Sequence, residues 1–177
     1  HLLFDEAQAA TEFADSSSSS HAITRTGDTT HTEVQKKIDA SSIYFDGSGD
    51  YLTVGSSGDF SLGTGNFTLE TWVRTGSVPS STVGLMGYVT TPNNGYYVAI
   101  DSNAKLWFFT STGISLRSTT AVITTTNKDE WHHVAVVRAD SGSSKAIKLY
   151  FDGSLVATLD GGDAEDNLNF TKTLLIG

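Results

Sequence analysis

Residues 131–160 read WHHVAVVRADSGSSKAIKLYFDGSLVATLD, and this stretch is the most informative about the fold. Three runs rich in apolar residues are separated by two short polar segments, and the second of these is Asp152-Gly153. Aspartate followed by glycine tolerates the positive φ angles of a type I′ turn, which joins two antiparallel strands directly. The stretch therefore predicts three consecutive strands connected by hairpins.

The same pattern of short strands and tight turns extends over most of the chain. NFTLETWVRT (66–75) alternates between apolar and polar residues, which is typical of a half-buried strand. GYYVAID (95–101) and KLWFFTS (105–111) flank a loop of hairpin length, and SIYFD (42–46) and YLTV (51–54) flank a glycine-rich turn. These segments predict two further hairpins.

About ten strands without long helical patterns between them predict an all-β protein, an antiparallel β-sandwich of the jelly-roll type. HTEVQKKIDA (31–40) has the best helical pattern, and it fits a short helix or a polar loop equally well. The length of 177 residues suits one domain with its own core, so we expect a single domain over residues 1–177.

The composition excludes several classes of function. A formal net charge of −9 and the lack of a Lys/Arg cluster disfavour binding to nucleic acid or to an anionic membrane. No apolar run approaches the roughly 20 residues of a membrane span, so no membrane insertion is expected. The absence of cysteine excludes thiol catalysis, cysteine–zinc sites and a disulfide framework.

Four segments in order carry a resemblance to a known family: YFDGSGDYLTV (44–54), GNFTLETWVRT (65–75), WHHVAVVR (131–138) and KLYFDGSLVATL (148–159). Together they resemble the laminin-G-like (concanavalin A-like lectin/glucanase) jelly-roll domains, especially the cysteine-free versions of bacterial surface proteins and phage or virus particles. The resemblance covers nearly the whole chain. Family members usually continue with another strand after a segment like LLIG, so we expect a fragment of a longer chain that lacks its last strand.

The glycine-rich segment DGSGD (46–50) raises the question of a metal site. Its spacing fails the EF-hand pattern, because Tyr51 stands where that loop needs glycine. A looser calcium site would use Asp46, Asp50 and Asp59 with backbone carbonyl groups, as some jelly rolls do. The alternative, which we favour, is a tight turn, since the second YFDGS copy (150–154) has no following aspartate.

Other candidate groups favour structural roles over catalysis. His132 and His133 are adjacent on a strand, so they point to opposite faces and do not chelate one ion together. Glycosidases of this fold need two carboxylates across the scissile bond, and Glu70, the carboxylate inside a predicted strand, has no acidic neighbour two positions away. The acidic segment DGGDAEDN (160–167) is interpreted as a solvated loop. We therefore predict that the protein is not an enzyme.

Aromatic residues supply the candidate binding site. Sugar rings stack on the faces of Trp and Tyr while neighbouring polar groups bind the hydroxyls. Trp72 and Trp131 lie within strand patterns and are predicted to be core, whereas Trp107 alternates against its neighbours and forms a platform if it shares a sheet face with Tyr97. Ordinary sandwich packing of these rings is the alternative. The residues predicted to bind carbohydrate are Tyr88, Asn93, Asn94, Tyr97 and Trp107.

These observations predict a non-catalytic recognition or adhesion module that binds a cell-surface carbohydrate as part of a virion fibre or surface protein. Its expected location is extracellular or on the virion surface. The alternative is a structural virion or appendage component that mediates protein–protein assembly, including a homo-oligomer. A glycoside hydrolase ranks third.

Overall fold

The computed structural model describes residues 9–88, 95–170 and 173–177. Its backbone contacts divide the chain into two compact units, His1–Ser56 with Lys172–Gly177, and Ser57–Thr171. Regular structure in the described residues consists of β-strands and two short 3₁₀ turns, so the predicted all-β class is confirmed. The described residues form no helix with the length and apolar character that a membrane span requires.

The strands are named in chain order. Their bounds are β1 Ile23–Thr26, β2 Thr30–Thr32, β3 Ser42–Tyr44, β4 Tyr51–Val54, β5 Phe67–Val73, β6 Val83–Gly87, β7 Tyr96–Ile100, β8 Leu106–Thr110, β9 Ser115–Arg117, β10 His132–Ser141, β11 Ser144–Phe151, β12 Ser154–Asp160 and β13 Leu174–Ile176. The 3₁₀ turns are Gly58–Phe60 and Gly162–Glu165.

The first unit contains an antiparallel sheet in which β4 lies between β1 and β13, and a separate two-stranded ribbon of β2 and β3. The predicted hairpin between SIYFD and YLTV is therefore wrong. Both edges of β4 are occupied by β1 and β13, and β3 pairs with β2 instead. Partners distant in the sequence thus replace the neighbouring strand, and β4 buries Leu52 and Val54 completely.

The ribbon also decides between the two interpretations of residues 31–40. β2 ends at Thr32, and the following residues form bends rather than a helix. The polar-loop alternative is correct, because His31 is drawn into the ribbon, where its side chain is fully buried and bonds to Ser41 and the Glu12 carbonyl.

The second unit is a sandwich of two antiparallel four-stranded sheets. One has the order β12-β11-β10-β5, and the other has the order β6-β7-β8-β9. Alternate residues of each strand face the space between the sheets, where Phe67 of β5 meets Phe108 of β8 with ring centroids 6.3 Å apart. This architecture confirms the predicted antiparallel β-sandwich of the jelly-roll type.

Local turn chemistry forms the predicted hairpins of this unit. Asp152 and Gly153 adopt φ angles of 48° and 75° and connect β11 to β12, which matches a type I′ turn. β10 and β11 pair from Val134–Phe151 at one end to Ser141–Ser144 beside the polar turn that joins them. The hairpin of β7 and β8 is confirmed as well.

Two tryptophan predictions are wrong. Trp72 stands opposite His133 on the outer face of β5 and β10, and its ring lies 5.2 Å from the imidazole. Trp131 precedes β10 and is likewise only partly buried. The core of this sheet is instead built by the alternate positions, among them Val134 and Val136.

Candidate ligand-binding face

The outer side of the sheet β7-β8-β9 carries a group of aromatic and polar side chains. In β8, Leu106 and Phe108 are fully buried against the other sheet, so Trp107 and Phe109 between them point outward. Trp107 thus faces away from the core, as one of the two alternatives predicted. We call the outward-facing set the aromatic face; its members are Tyr97, Trp107, Phe109, Ser115 and Arg117.

Strand pairing arranges the aromatic face in two rows. In one row Phe109 lies between Tyr97 and Ser115, its cross-strand partners. In the other row Trp107 is the cross-strand partner of Arg117. The Trp107 and Phe109 ring centroids are 5.5 Å apart, and Tyr97 is diagonal to Trp107, a spacing that aromatic side chains span. The three rings therefore lie on one face of the sheet, and we call them the aromatic strip.

Hydrogen bonds fix the orientation of the indole and the guanidinium. The Trp107 Nε1–H donates to Ser115 Oγ at 3.1 Å, and Arg117 Nη1 donates to the same oxygen at 2.9 Å. The Arg117 guanidinium carbon lies 4.0 Å from the Trp107 ring centroid, which is a cation–π distance. One polar edge, formed by Ser115 and Arg117, thus borders the aromatic strip.

Asp101 balances the charge at this edge. Arg117 Nε donates to Asp101 Oδ2 at 3.1 Å, and the Asp101 side chain is only 9% exposed while that of Arg117 is 41% exposed. Burial acts to raise the pKa of Asp101, but the backbone N–H groups of Lys105 and Asn103 and the Arg117 guanidinium outweigh it. The pKa therefore lies below its usual value, so the pair is ionised at neutral pH and has no net charge.

Tyr97 packs over Gly87, which has no side chain. Gly87 is its cross-strand partner, and a Cβ at Gly87 would lie 2.8 Å from Tyr97 Cα and 3.1 Å from Tyr97 Cδ2. Burial raises the pKa of Tyr97, so its hydroxyl stays protonated at neutral pH and is able to donate a hydrogen bond.

The structure brings together two of the five residues predicted to bind carbohydrate. Tyr97 and Trp107 share one sheet face, as the platform hypothesis required. Tyr88 does not belong to it, since it is only 4% exposed and packs edge-on against the buried ring of Tyr96. Burial raises the pKa of Tyr88 to about 12. Asn93 and Asn94 lie outside the described residues.

Sequence reasoning missed four members or neighbours of this face. Phe109, Ser115, Arg117 and Asp101 were not singled out. A signal for the first three existed, because Phe109 follows Trp107 by two positions and Arg117 follows Ser115 by two, which is strand spacing. Asp101 had no such signal, since its contact with Arg117 depends on how β9 pairs with β8.

A second group of polar residues lies in the first unit. Asp28, Asp46 and Asp50 place one carboxylate oxygen each within 4.8 Å of the others, and we call this group the acidic cluster. The sequence offered Asp46 and Asp50 as candidate calcium ligands, as the alternative to the favoured tight turn, and it missed Asp28, which lies far from them in the chain. Asp59, the third predicted ligand, is in the 3₁₀ turn Gly58–Phe60 and is not a member of this group.

Asp50 already has a structural role in the acidic cluster. Its Oδ1 accepts the N–H of Asp28 at 2.8 Å and its Oδ2 accepts the N–H of Asp46 at 3.0 Å. The N–H of Asp46 is the main cause that lowers the pKa of Asp50, and the N–H of Asp28 adds to it. Asp50 thus ties two turns together as a carboxylate, which agrees with the turn interpretation of DGSGD.

The adjacent histidines point to opposite faces, as predicted. His132 is buried, with Nδ1 2.7 Å from Asp152 Oδ2 and Nε2 2.9 Å from the Asn127 carbonyl oxygen. His133 lies on the outer face, 3.4 Å from Glu70. The two imidazoles therefore serve different contacts and do not form a shared metal site.

Comparison with known proteins shows the family. The Laminin_G_3 model, described as the concanavalin A-like lectin/glucanases superfamily, matches residues 46–177, and the chain belongs to this family. The resemblance predicted from the sequence is confirmed. No curated protein sequence matches the chain.

Solved structures agree with the fold. The binding domain of botulinum neurotoxin DC in complex with SialylT superposes with a TM-score of 0.66 and 16% identity, over 93% of this chain and 40% of that one. The mouse laminin alpha1 chain, domains LG4-5, gives a TM-score of 0.57 and 15% identity, over 80% and 38%. The HCR/D F1240A mutant gives 0.69 and 14% identity, over 96% and 41%. The chain therefore spans about two fifths of the length of these structures.

Proposed function

We propose that this chain is a non-catalytic recognition module that binds a carbohydrate through the aromatic face. The observation that carries the proposal is the aromatic strip of Tyr97, Phe109 and Trp107 on the outside of a sheet, bordered by hydrogen-bonding groups. The family and the fold of the neighbouring structures support it, because this sandwich hosts carbohydrate recognition as well as other functions.

The chemistry of the aromatic face suits a sugar ring. The apolar C–H side of a pyranose stacks on an aromatic ring, which removes both surfaces from water, and ring hydroxyls require donors and acceptors beside that contact. Ser115 offers its O–H as a donor, because its oxygen already accepts two N–H groups within the face. Arg117 offers its remaining N–H groups, and Tyr97 offers a hydroxyl. Since Asp101 neutralises the charge of Arg117, this edge favours neutral hydroxyl groups over a strongly charged ligand.

The proposed setting follows from the ligand. A cell-surface glycan places the module outside the cell, as part of a surface protein or a virion fibre, and the net charge of −9 is consistent with a protein that does not bind nucleic acid. Absence of catalysis, the virion setting and a single domain over residues 1–177 remain predictions.

A panel of immobilised glycans, probed with the purified chain, tests the proposal. We expect binding to at least one glycan, and Trp107→Ala weakens it by roughly tenfold or more, since stacking on one ring contributes about 0.5–1.5 kcal/mol beyond the area it buries. Trp72→Ala is the matched control, because Trp72 is also partly buried but lies on the outer face of the other sheet.

Two results contradict the proposal. One is a lack of binding to every glycan, and the other is binding that Trp72→Ala weakens while Trp107→Ala does not. The panel is run with calcium and with EGTA. Calcium binding at Asp46 and Asp50 stays a prediction from the sequence, now with Asp28 rather than Asp59 beside them, and loss of glycan binding in EGTA is the result expected from it.

A further inference from the structure

Exposed apolar side chains are concentrated in one small part of the chain. The described residues expose five large apolar side chains, and three of them lie between positions 34 and 44: Val34 at 76%, Ile38 at 55% and Tyr44 at 55%. Scattered single apolar residues are normal on a protein surface, but a local cluster marks an interaction surface. This cluster is on the ribbon of β2 and β3 and on the loop that connects them.

Strand register places one of these side chains, Tyr44, on the outer face of the ribbon. His31 is fully buried, so its neighbours Thr30 and Thr32, with their partners Tyr44 and Ser42, form the outer face. Thr32 Oγ1 accepts the N–H of Val34 at 3.3 Å, and Ser42 Oγ donates to the Gln35 carbonyl at 2.5 Å. The connecting loop therefore starts by folding over the face that carries Tyr44.

The two ends of the ribbon differ in charge. At the Thr30–Tyr44 end the chain continues into the acidic cluster, with Asp28 before Thr30 and Asp46 after Tyr44. None of the ion pairs among the described residues includes a carboxylate of that cluster.

At the other end of the ribbon, the connecting loop has two exposed lysines at its centre, Lys36 and Lys37, between Val34 and Ile38. Glu33 and Asp39 flank them, so the loop as a whole is neutral but its centre is basic.

We propose that two copies of this chain associate through the outer faces of their ribbons, in antiparallel orientation about a twofold axis. This arrangement sets Lys36 and Lys37 of each copy against Asp28 and Asp46 of the other. It also sets the apolar loop residues of each copy against Tyr44 of the other. Twofold symmetry makes every contact occur twice, which is the property of a self-complementary surface.

The expected dimer is weak and sensitive to salt. Three apolar side chains per copy on a short ribbon bury less than the roughly 1,200 Å² that stable complexes remove from solvent. The lysine–aspartate contacts set the orientation and are screened by added salt. The contact surface shares no residue with the aromatic face, so the inference does not depend on carbohydrate binding.

Sedimentation velocity over a roughly hundredfold range of protein concentration tests the inference, in EGTA so that calcium does not occupy the acidic cluster. We expect a reversible monomer–dimer equilibrium that weakens with salt. Two charge-reversed double variants each weaken the affinity of the dimer at least tenfold: Lys36→Glu/Lys37→Glu and Asp28→Lys/Asp46→Lys. Mixing these two variants restores a heterodimer, because the reversed loop meets the reversed cluster at one contact and the native loop meets the native cluster at the other.

Matched controls separate this contact from general charge effects. Lys128→Glu/Lys148→Glu changes the net charge by the same amount at positions outside the ribbon, and we expect no effect on dimerisation. Val34→Ser/Ile38→Ser tests the apolar contribution without changing charge and also weakens the dimer. Circular dichroism and the urea midpoint verify that each variant is folded.

Three outcomes overturn the inference. In the first, the wild-type chain stays monomeric at every concentration. In the second, it dimerises and neither charge-reversed variant has a weaker dimer. In the third outcome the chain is monomeric and its ribbon binds vesicles that contain phosphatidylserine, which assigns the exposed loop to a membrane surface.

Discussion

Arg138 is a buried cation that stabilises loops through backbone carbonyl groups. It is only 1% exposed, and its Nε and Nη1 donate to Gly65 and Asp166 at 2.7 and 2.8 Å, while Nη2 donates to Leu62 and Gly63. Burial lowers the pKa of Arg138. Because a planar guanidinium alone offers five N–H groups in fixed directions, this site requires arginine rather than any basic residue.

Arg138→Lys is therefore expected to destabilise the fold by about 1–3 kcal/mol, since the ammonium leaves buried carbonyl groups without a donor. Urea denaturation measures the change in the free energy of unfolding. Arg25→Lys is the control, because Arg25 is exposed and makes one hydrogen bond to the Thr29 carbonyl. A change below about 0.5 kcal/mol for Arg138→Lys contradicts the assigned role.

Asp50 makes stability depend on pH in the acidic range. Its pKa in the folded state lies below the ordinary value of 3.8, mainly because the N–H of Asp46 bonds to the carboxylate. A lowered folded-state pKa stabilises the protein above the ordinary value, and this contribution is lost as the pH falls from there through the folded-state pKa. We expect the urea midpoint of the wild type to fall over that interval.

Asp50→Asn removes this contribution, so its urea midpoint falls less between pH 5 and pH 2 than that of the wild type. At neutral pH the variant is less stable, because the amide nitrogen faces a backbone N–H. Asp39→Asn changes the net charge equally on an exposed loop and serves as the control. Identical pH profiles for Asp50→Asn and the wild type count against the assignment.

At the scale of secondary-structure elements, glycine is required for two different reasons: one position needs its backbone conformation, and another has no room for a side chain. Gly153 in the β11–β12 turn has φ of 75°, and a Cβ there would have no atom within 4 Å. A Cβ at Gly87 in β6 would collide with the Tyr96 carbonyl oxygen and lie 2.8 Å from Tyr97 Cα. The first position needs glycine for its turn, and the second needs it for close packing of two strands.

Gly153→Ala is expected to cost about 1–2 kcal/mol, the penalty of a left-handed conformation for a residue with a Cβ. Gly87→Ala is expected to cost at least about 1 kcal/mol more, because strands β6 and β7 must move apart. Thermal or urea unfolding of the two variants measures the difference. Equal destabilisation contradicts the close packing at Gly87.

Elements formed by local contacts were predictable, and those formed by distant contacts were not. Asp152-Gly153 joins neighbouring strands by its own turn conformation, so the sequence predicted this hairpin correctly. The glycine-rich turn at 47–49 looked similar, yet the strands on its two sides pair with β2, β1 and β13 instead. Turn residues predict that the chain reverses, but they do not select the partner of each strand.

At the scale of the whole molecule, the net charge of −9 governs long-range interactions. Phosphate backbones repel an acidic surface, so we expect no binding to double-stranded DNA even at low ionic strength, where attraction between opposite charges is strongest. Fluorescence anisotropy with a labelled duplex measures this. Binding that weakens with salt contradicts the expectation and indicates a local basic surface, for which Lys36→Glu/Lys37→Glu is the first variant to examine.

The all-β class, the family resemblance, most strands and three hairpins of the second unit followed from the sequence alone. These features depend on alternation and turn chemistry within a few consecutive residues, so the signals for them are local in the sequence. It also brought Tyr97 and Trp107 forward as a pair. Strand pairing was needed to establish that Trp107 faces outward, that Trp72 and Trp131 are not core, that Tyr88 is buried, and that Asp28 joins Asp46 and Asp50. Those outcomes depend on which distant strands pair and in which register, and a shift of one residue exchanges the two faces of a strand.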